Sequence, residues 1–287
     1  SRTHAALDQL HYQYGSDLVE VLAGDMSDPS LAAKAVDLAK SRWGRLDSVV
    51  INHGSLDPVK KVGDSSVEVW KEAFGINVFS AVGLVCLFFF FLLCCSVFFV
   101  LLLFSLFLYP QPLSRFLPIL SNSYNPLSNT STPTPLSKPS PNLTTSQIQA
   151  SLPLLRNSPS HGRIILTSSG AATSAYQGWG CYGAGKAVLN HLALTLAVEE
   201  PKVTTISIRP GVVDTEMQRE IREVHRERMS EKDQEKFSGL KTNGGLLKPE
   251  QPGHVIAKLA VGGDEVKEFS GKFLSWNDES LSAFQEE

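Results

Sequence analysis

The stretch "GRIILTSSGAATSAYQGWGCYGAGKAVLNHLALTLAVEE" (Gly162–Glu200) decides how the chain folds. It opens on an apolar run, "GRIILTSSG", that ends in small and polar residues and reads as a buried strand. It closes on "YGAGKAVLNHLALTLAVEE", whose length makes it a helix. Ser169 stands at the strand end, thirteen residues before Tyr182, and Tyr182 and Lys186 are four apart at the helix start. Four residues is about one helical turn, so those two side chains share a face. A phenol with its ordinary pKa near ~10 exchanges protons poorly at neutral pH unless a nearby cation stabilises the phenolate. Lys186 can supply that cation and the Ser169 hydroxyl can polarise a carbonyl, which makes the three a candidate acid–base site. A Tyr-x-x-x-Lys pair by itself is more often a solvated helix pair, so its weight comes from its surroundings.

Outward from this stretch the same alternation recurs. "DLVEVLAGD" (Asp17–Asp25) reads as a strand, and "SDPSLAAKAVDLAKSRWG" as the following helix, with Ser27 as N-cap and Leu31, Ala35, Leu38 and Ala39 at helical spacing. "LDSVVINHG" is a further strand, "SVEVWKEAFGINVFSAVGL" a further helix and "VTTISIRPGVV" a last strand. Strands alternating with helices imply βαβ units and an α/β fold with a doubly wound, Rossmann-like parallel sheet. Ligands of such sheets bind where strands end. The residues to read are therefore Asp25, the "NHG" turn (Asn52–Gly54), "SSG" (Ser168–Gly170) and "RPGVVDT" (Arg209–Thr215). Each alone is an ordinary turn signal, and their serial arrangement carries the inference.

With 287 residues, 43% apolar content and a net charge of −3, the chain can bury one sizeable core and shows no bias toward nucleic acid. The averages hide a break. From Cys86 to Gln147 there is no Asp or Glu, and only Arg115 and Lys138 are charged. Three of the four cysteines lie in that block, leaving Cys181 outside it, so neither a disulfide framework nor a metal-ligand spacing can be argued, and a reducing, cytoplasmic setting fits. The opening "SRTHAALDQL" has no signal-peptide pattern and no initiator Met, and reads as the start of a fragment.

These motifs resemble the short-chain dehydrogenase/reductase family, and within it the fungal members of benzil-reductase and sepiapterin-reductase type. The similarity runs from Ser1 to about Leu84 and resumes from about Ile148 to the C-terminus. The resemblance implies that Tyr182 is the catalytic acid/base, that Lys186 lowers its pKa and binds the nicotinamide ribose, that Ser169 orients the substrate carbonyl, and that Asn77 in "INVFS" supports a proton-relay water. It places cofactor contacts at Asp25 near the adenine, at Asn52 and Gly54, at Tyr182 and Lys186, and at Pro210, Gly211, Val213 and Thr215 around the nicotinamide. His53 departs from the family's more usual Asn-Ala-Gly turn. The family's glycine-rich pyrophosphate loop is absent, so the fold is expected to lack its first strand-helix unit, with about 30 residues upstream. Arg2 falls where the family often sets an Arg against the 2′-phosphate, which favours NADP over NAD, an exposed terminal Arg being the equal alternative.

The block interrupts this pattern. Leu84 to Tyr109 contains only Ser96 and Ser105 as polar residues, and as a helix of about 26 residues it would span roughly 39 Å, more than the ~30 Å hydrocarbon core of a membrane. It continues a helix whose Asn77 the site needs, and it runs into "SNSYNPLSNTSTPTPLSKPSPNLTTSQ", which reads as disordered. Removing Val85–Gln147 joins "FSAVGL" to "IQASLPLL" and restores the family spacing. Its Phe, Leu, Ser and Pro usage matches pyrimidine-rich codons, Val85-Cys86 can be encoded by a splice-donor sequence, Leu143-Thr144 by a branch-point-like one and Gln147 by CAG. The block therefore reads as a retained intron, with a membrane anchor over 84–109 as the alternative. The expected organisation is residues 1–84 and 148–287 as one fold, with 85–147 a foreign insert. The expected function is reversible, NADP-dependent reduction of a ketone or diketone, the alternative being a membrane-anchored or inactive relative. The uninterrupted family form would be a homodimer or homotetramer, and the 287-residue chain itself a poor enzyme. Trp179 could line the substrate pocket or pack in the core. "MQREIREVHRERMSEKDQEKF" reads as a helical lid with a solvated face, the alternative being that its apolar side touches substrate, which the charge pattern alone disfavours.

Overall fold

The computed structural model describes residues 4–28, 30–82 and 147–285, which belong to one unit formed by Ser1–Leu84 with Thr144–Glu287. In chain order its main elements are helix α1 (His4–Tyr14), α2 (Ser30–Trp43), strand β1 (Ser48–Ile51), α3 (Val67–Phe74), a π-turn over Gly75–Phe79 and a short helical turn α4 (Ser80–Val82). After the block come α5 (Gln147–Leu155), β2 (Gly162–Thr167), α6 (Gly180–Glu199), β3 (Val203–Arg209), α7 (Glu216–Glu223), α8 (Glu231–Thr242), α9 (Glu250–Val261) and β4 (Phe273–Ser275). The four strands form one parallel sheet in the order β1-β2-β3-β4. Register is set by pairs such as Val50 with Ile165, Ile165 with Ile206 and Ile208 with Leu274.

Every residue of β2 is buried, as a central parallel strand covered on both faces requires. Side chains alternate along it, so Ile164 and Leu166 enter a core with Leu189, Ala193 and Leu196 of α6, while Ile165 enters the opposite core with Val255 and Leu259 of α9. Each of Ile164, Ile165 and Leu166 is fully buried, and burial of one such side chain contributes roughly 1.5–3 kcal/mol. A buried guanidinium ties the layers at their lower edge. Arg163 donates to the carbonyls of Ala260 (2.8 Å) and Gly262 (2.5 Å), at the C-terminal end of α9, and to that of Ser160 (2.8 Å). Those carbonyls lie at the negative end of the helix dipole, where a cation is favoured.

Three expectations are corrected. Asp17–Asp25 is not a strand: Asp17 and Leu18 lie in a turn and the residues after them join no ladder among the described residues, because an apolar run becomes a strand only beside a neighbour that takes its hydrogen bonds. Ser27 does not cap α2. Asp28 does, accepting from the Ser30 amide at 2.9 Å, while the Ser27 hydroxyl is committed to Asp25 at 2.8 Å. The helix carrying Asn77 is not regular, since it widens into the π-turn before resuming. Ser66 caps its start by accepting from the Val69 amide.

On either side of the block, α4 and α5 pack against each other, and Ala81 and Ile148 enter the same core. No helix among the described residues is long and apolar enough to cross a membrane. The apolar run of 84–109 and Arg2 lie outside the described residues.

Candidate active site

Because β1, β2 and β3 run parallel, their C-terminal ends open on one edge of the sheet, and the three loops that follow them meet there. They bound a cavity of about 620 Å³. Asn52 and Gly54 line it after β1, Ser169 after β2, and Pro210, Gly211, Val213 and Thr215 after β3. Tyr182 and Lys186 complete this side from the first turns of α6. The structure thus brings together nine of the residues singled out from sequence. Asn77 stands immediately behind the wall, and Asp25 does not line the cavity.

Close backbone approaches set this geometry. A Cβ on Gly183 would lie 2.6 Å from the Ala171 carbonyl oxygen, so only glycine lets α6 seat its first turn against the loop after β2. That contact carries Tyr182 to Ser169, and it is the reason a glycine follows the tyrosine. Gly211 has φ +80°, and a Cβ there would lie 2.5 Å from Leu247 Cδ1. Gly54 faces Asn77 Oδ1 and Lys186 Nζ, which a Cβ would approach to 3.2 and 3.3 Å.

Tyr182 is 7% exposed and Lys186 is 3% exposed. Burial pushes the Tyr182 phenol up, and a hydrogen bond with Ser169 partly opposes this. Burial holds Lys186 down at about 8. Its Nζ donates to the Thr167 carbonyl at 2.7 Å and stands 5.8 Å from the centroid of the Tyr182 ring. The Lys186 ammonium is bound to β2, and desolvation sets the direction at the phenol. The Asn77 carboxamide grips Ser55 with both ends: Oδ1 accepts from the Ser55 amide at 2.8 Å and Nδ2 donates to the Ser55 carbonyl at 2.9 Å.

The far wall is apolar and aromatic. Trp179, buried at the start of α6, stacks on Phe237 at 5.3 Å, meets Tyr176 at 4.8 Å and stands edge-on to Tyr182 at 6.1 Å. Met217 and Ile221 of α7 and Phe237 and Leu240 of α8 face the same space. The charged lid segment so presents its apolar side to the cavity, which the density of charge in its sequence concealed.

The residues present fit the nicotinamide and ribose end of a dinucleotide. Gly54 and Gly211 bring bare backbone to the cavity wall, Lys186 is a buried cation there, and Asn52 and Thr215 bring polar side chains. Asp25 is turned to its own loop, accepting from the Ser27 amide at 2.9 Å and its hydroxyl at 2.8 Å. Among the described residues no group of metal-ligating side chains is present.

Comparison with known proteins agrees with this architecture. A family profile described as short chain dehydrogenase matches residues 143–226, and one described as enoyl-(acyl carrier protein) reductase matches residues 1–88. The benzil reductase ((S)-benzoin forming) of Saccharomyces cerevisiae is 32% identical over 99% of this chain and 87% of its own length. Mouse sepiapterin reductase is 40% identical over a shorter region, 29% of this chain and 31% of its own. The crystal structure of a short-chain dehydrogenase/reductase from S. cerevisiae superposes with a TM-score of 0.72 at 30% identity, covering 99% of this chain and 87% of that one. A parallel sheet with the serine, tyrosine and lysine gathered at its C-terminal edge, and a relative this similar over nearly the whole chain, place the protein in the short-chain dehydrogenase/reductase family of NAD(P)-binding oxidoreductases.

Proposed function

We propose that the protein is an NADP-dependent carbonyl reductase, reversibly reducing a ketone or diketone to an alcohol. The observation that carries this reading is Ser169, Tyr182 and Lys186 on one wall of a cavity whose opposite wall is aromatic. When bound, the nicotinamide supplies a hydride to the carbonyl carbon. The Ser169 hydroxyl orients the carbonyl oxygen, and Tyr182 passes its phenolic proton to that oxygen as charge develops there. Burial keeps the Tyr182 phenol protonated at neutral pH, and the alkoxide that develops on hydride transfer, a stronger base than a phenolate, would draw the proton off. Lys186 holds a cation at the ribose side and is the charge nearest the phenolate left after donation. Asn77, held to Ser55 by both ends of its carboxamide, would support the proton-relay water from behind the wall.

Trp179, Tyr176 and Phe237 favour an apolar or aryl substituent next to the reacting carbonyl, in keeping with a relative named as a benzil reductase. Leu194 and Val198, exposed one turn apart on α6, support pairing of two copies through that helix. The test is NADPH oxidation with aryl ketones and diketones, run with the 287-residue chain and with a version lacking Val85–Gln147. Tyr182→Phe should lower kcat at least ~10²-fold with NADPH binding little changed. Near-normal turnover in that variant would remove Tyr182 from its role, and equal use of NADH would remove the NADP preference.

A further inference from the structure

The turn between β1 and the cavity carries a histidine whose contacts reach the opposite element. Asn52 and Gly54 line the cavity, but His53 between them does not. Its Nε2 lies 2.6 Å from Ser80 Oγ, and Ser80 Oγ lies 2.6 Å from the Ile76 carbonyl oxygen. A serine hydroxyl has one proton, and two oxygens at that separation require it between them. Ser80 therefore donates to Ile76 and accepts from His53, which places the imidazole proton on Nε2. Burial first, and Lys186 second, bring the pKa of this imidazole down to about 4, partly opposed by a hydrogen bond from the ring to the Ile76 carbonyl. The ring so reaches the π-turn both directly and through Ser80.

The destination of this chain of bonds is the π-turn. A serine bonded to the carbonyl four residues back bends a helix, and the widened turn is a form found frequently at functional sites. Here it carries Asn77, and Asn77 in turn grips the backbone of Ser55, two residues after His53. Loop and π-turn are thus joined twice, once by a side chain from each partner. Gly54 sits between the two joints, against Asn77 Oδ1 and Lys186 Nζ.

We propose that His53 is a positioning residue: through Ser80 it fixes the π-turn, and with it the placement of Asn77 and Gly54 beside Lys186. Its catalytic consequence rests on the carbonyl-reductase reading, whereas its geometric role does not. A space-filling role predicts that any side chain of similar bulk would serve. The positioning role requires an N–H donor at the Nε2 position, which glutamine retains and leucine lacks.

The experiment compares the full chain with His53→Leu, His53→Gln, Ser80→Ala and the His53→Leu/Ser80→Ala double variant. Hydrogen exchange at the Ser55 amide, which Asn77 holds, is the first readout. Exchange should quicken about five-fold or more in His53→Leu and in Ser80→Ala, as loss of one hydrogen bond allows, and the double variant should be no faster than the faster single. His53→Gln should stay within about two-fold of the parent. Nitrogen-15 NMR should report the Nε2-protonated tautomer. Carbonyl reduction in His53→Leu should lose kcat by a similar factor with little change in substrate KM, and His53→Gln should restore it. Parental exchange in His53→Leu, equal loss in the leucine and glutamine variants, or an Nδ1 proton overturns the proposal. If the version lacking Val85–Gln147 reduces no carbonyl compound but shows this order of exchange, the reductase reading is overturned and His53 keeps its positioning role.

Discussion

Lys186→Met should stabilise the protein at neutral pH while removing its activity. The buried ammonium has its pKa lowered to about 8 from the ordinary 10.5, with desolvation as the cause. At ~1.36 kcal/mol per unit, that shift is a penalty of roughly 3 kcal/mol against folding. The folded state binds fewer protons than the unfolded state between these two values. The penalty is therefore fully present below about pH 8 and is relieved as pH rises toward 10.5, with about 2 kcal/mol recovered by pH 9.5. Methionine avoids it and keeps most of the packing, but it leaves the Thr167 carbonyl without the donor now at 2.7 Å, a loss of about 1–3 kcal/mol. The balance at pH 7 favours the variant by about 0.5–2 kcal/mol, and by pH 9.5 it should vanish or reverse. Urea unfolding of both chains at pH 7.0 and 9.5, followed by tryptophan fluorescence, measures the difference of differences, in which other titrations largely cancel. A difference between variant and parent that stays constant, within about 0.5 kcal/mol, across the two pH values would refute the account of Lys186 as a costly buried cation.

Gly54→Ala should weaken nicotinamide binding about ten-fold or more while changing the thermal midpoint little, because the added Cβ presses on Asn77 Oδ1 and Lys186 Nζ rather than on core; an NADPH fluorescence titration with parental affinity counts against the cradle. Deleting Val85–Gln147 should leave the sheet and both cores intact, since Ala81 and Ile148 already enter one cluster. Removing a closed loop of about 60 residues should add up to about 3–4 kcal/mol of stability. Circular dichroism and thermal unfolding check this, and an unfolded deletion variant would show that the block is integral to the fold.

The central strands were legible in the sequence for a physical reason. β1, β2 and β3 are runs that end in turn residues, and burial on both faces leaves the composition of β2 and β3 little alternative, while β1 is half-buried and is legible from its short apolar run. The helix from Tyr182 was legible by length, and the Ser169, Tyr182 and Lys186 triad by spacing. β4 escaped because Phe273–Ser275 is short and only half-buried, so it has no periodicity to read. α9 escaped because "PEQPGHVIAKLAV" begins with two prolines and a glycine, which signal a turn, although the first proline precedes the helix and the second sits in its first turn. Asp17–Asp25 failed in the opposite sense, having a strand's composition without a strand's neighbour. The bond from His53 to Ser80, and the need for glycine at position 183, depend on residues far apart in sequence. Neither leaves a local signature.

The site concentrates its costs where the fold has most stability to offset them. Lys186 is a desolvated cation and Tyr182 a desolvated phenol, and a buried Trp179 Nε1 has no hydrogen-bond partner among the described residues. Such groups are unfavourable in a core. All three stand on or at the start of α6, whose later turns bury Leu189, Ala193 and Leu196 on the same face against Ile164 and Leu166 of β2. That packing holds the helix whether or not the polar groups of its first turns are satisfied. The loop from β1 approaches this fixed helix through Gly54 rather than through a side chain, while Gly211 seats the loop from β3 against Leu247 and Trp276. On the reductase reading the acid stands on the rigid element and backbone faces it from the adaptable ones, an arrangement in which a dinucleotide could be gripped and released without moving that acid.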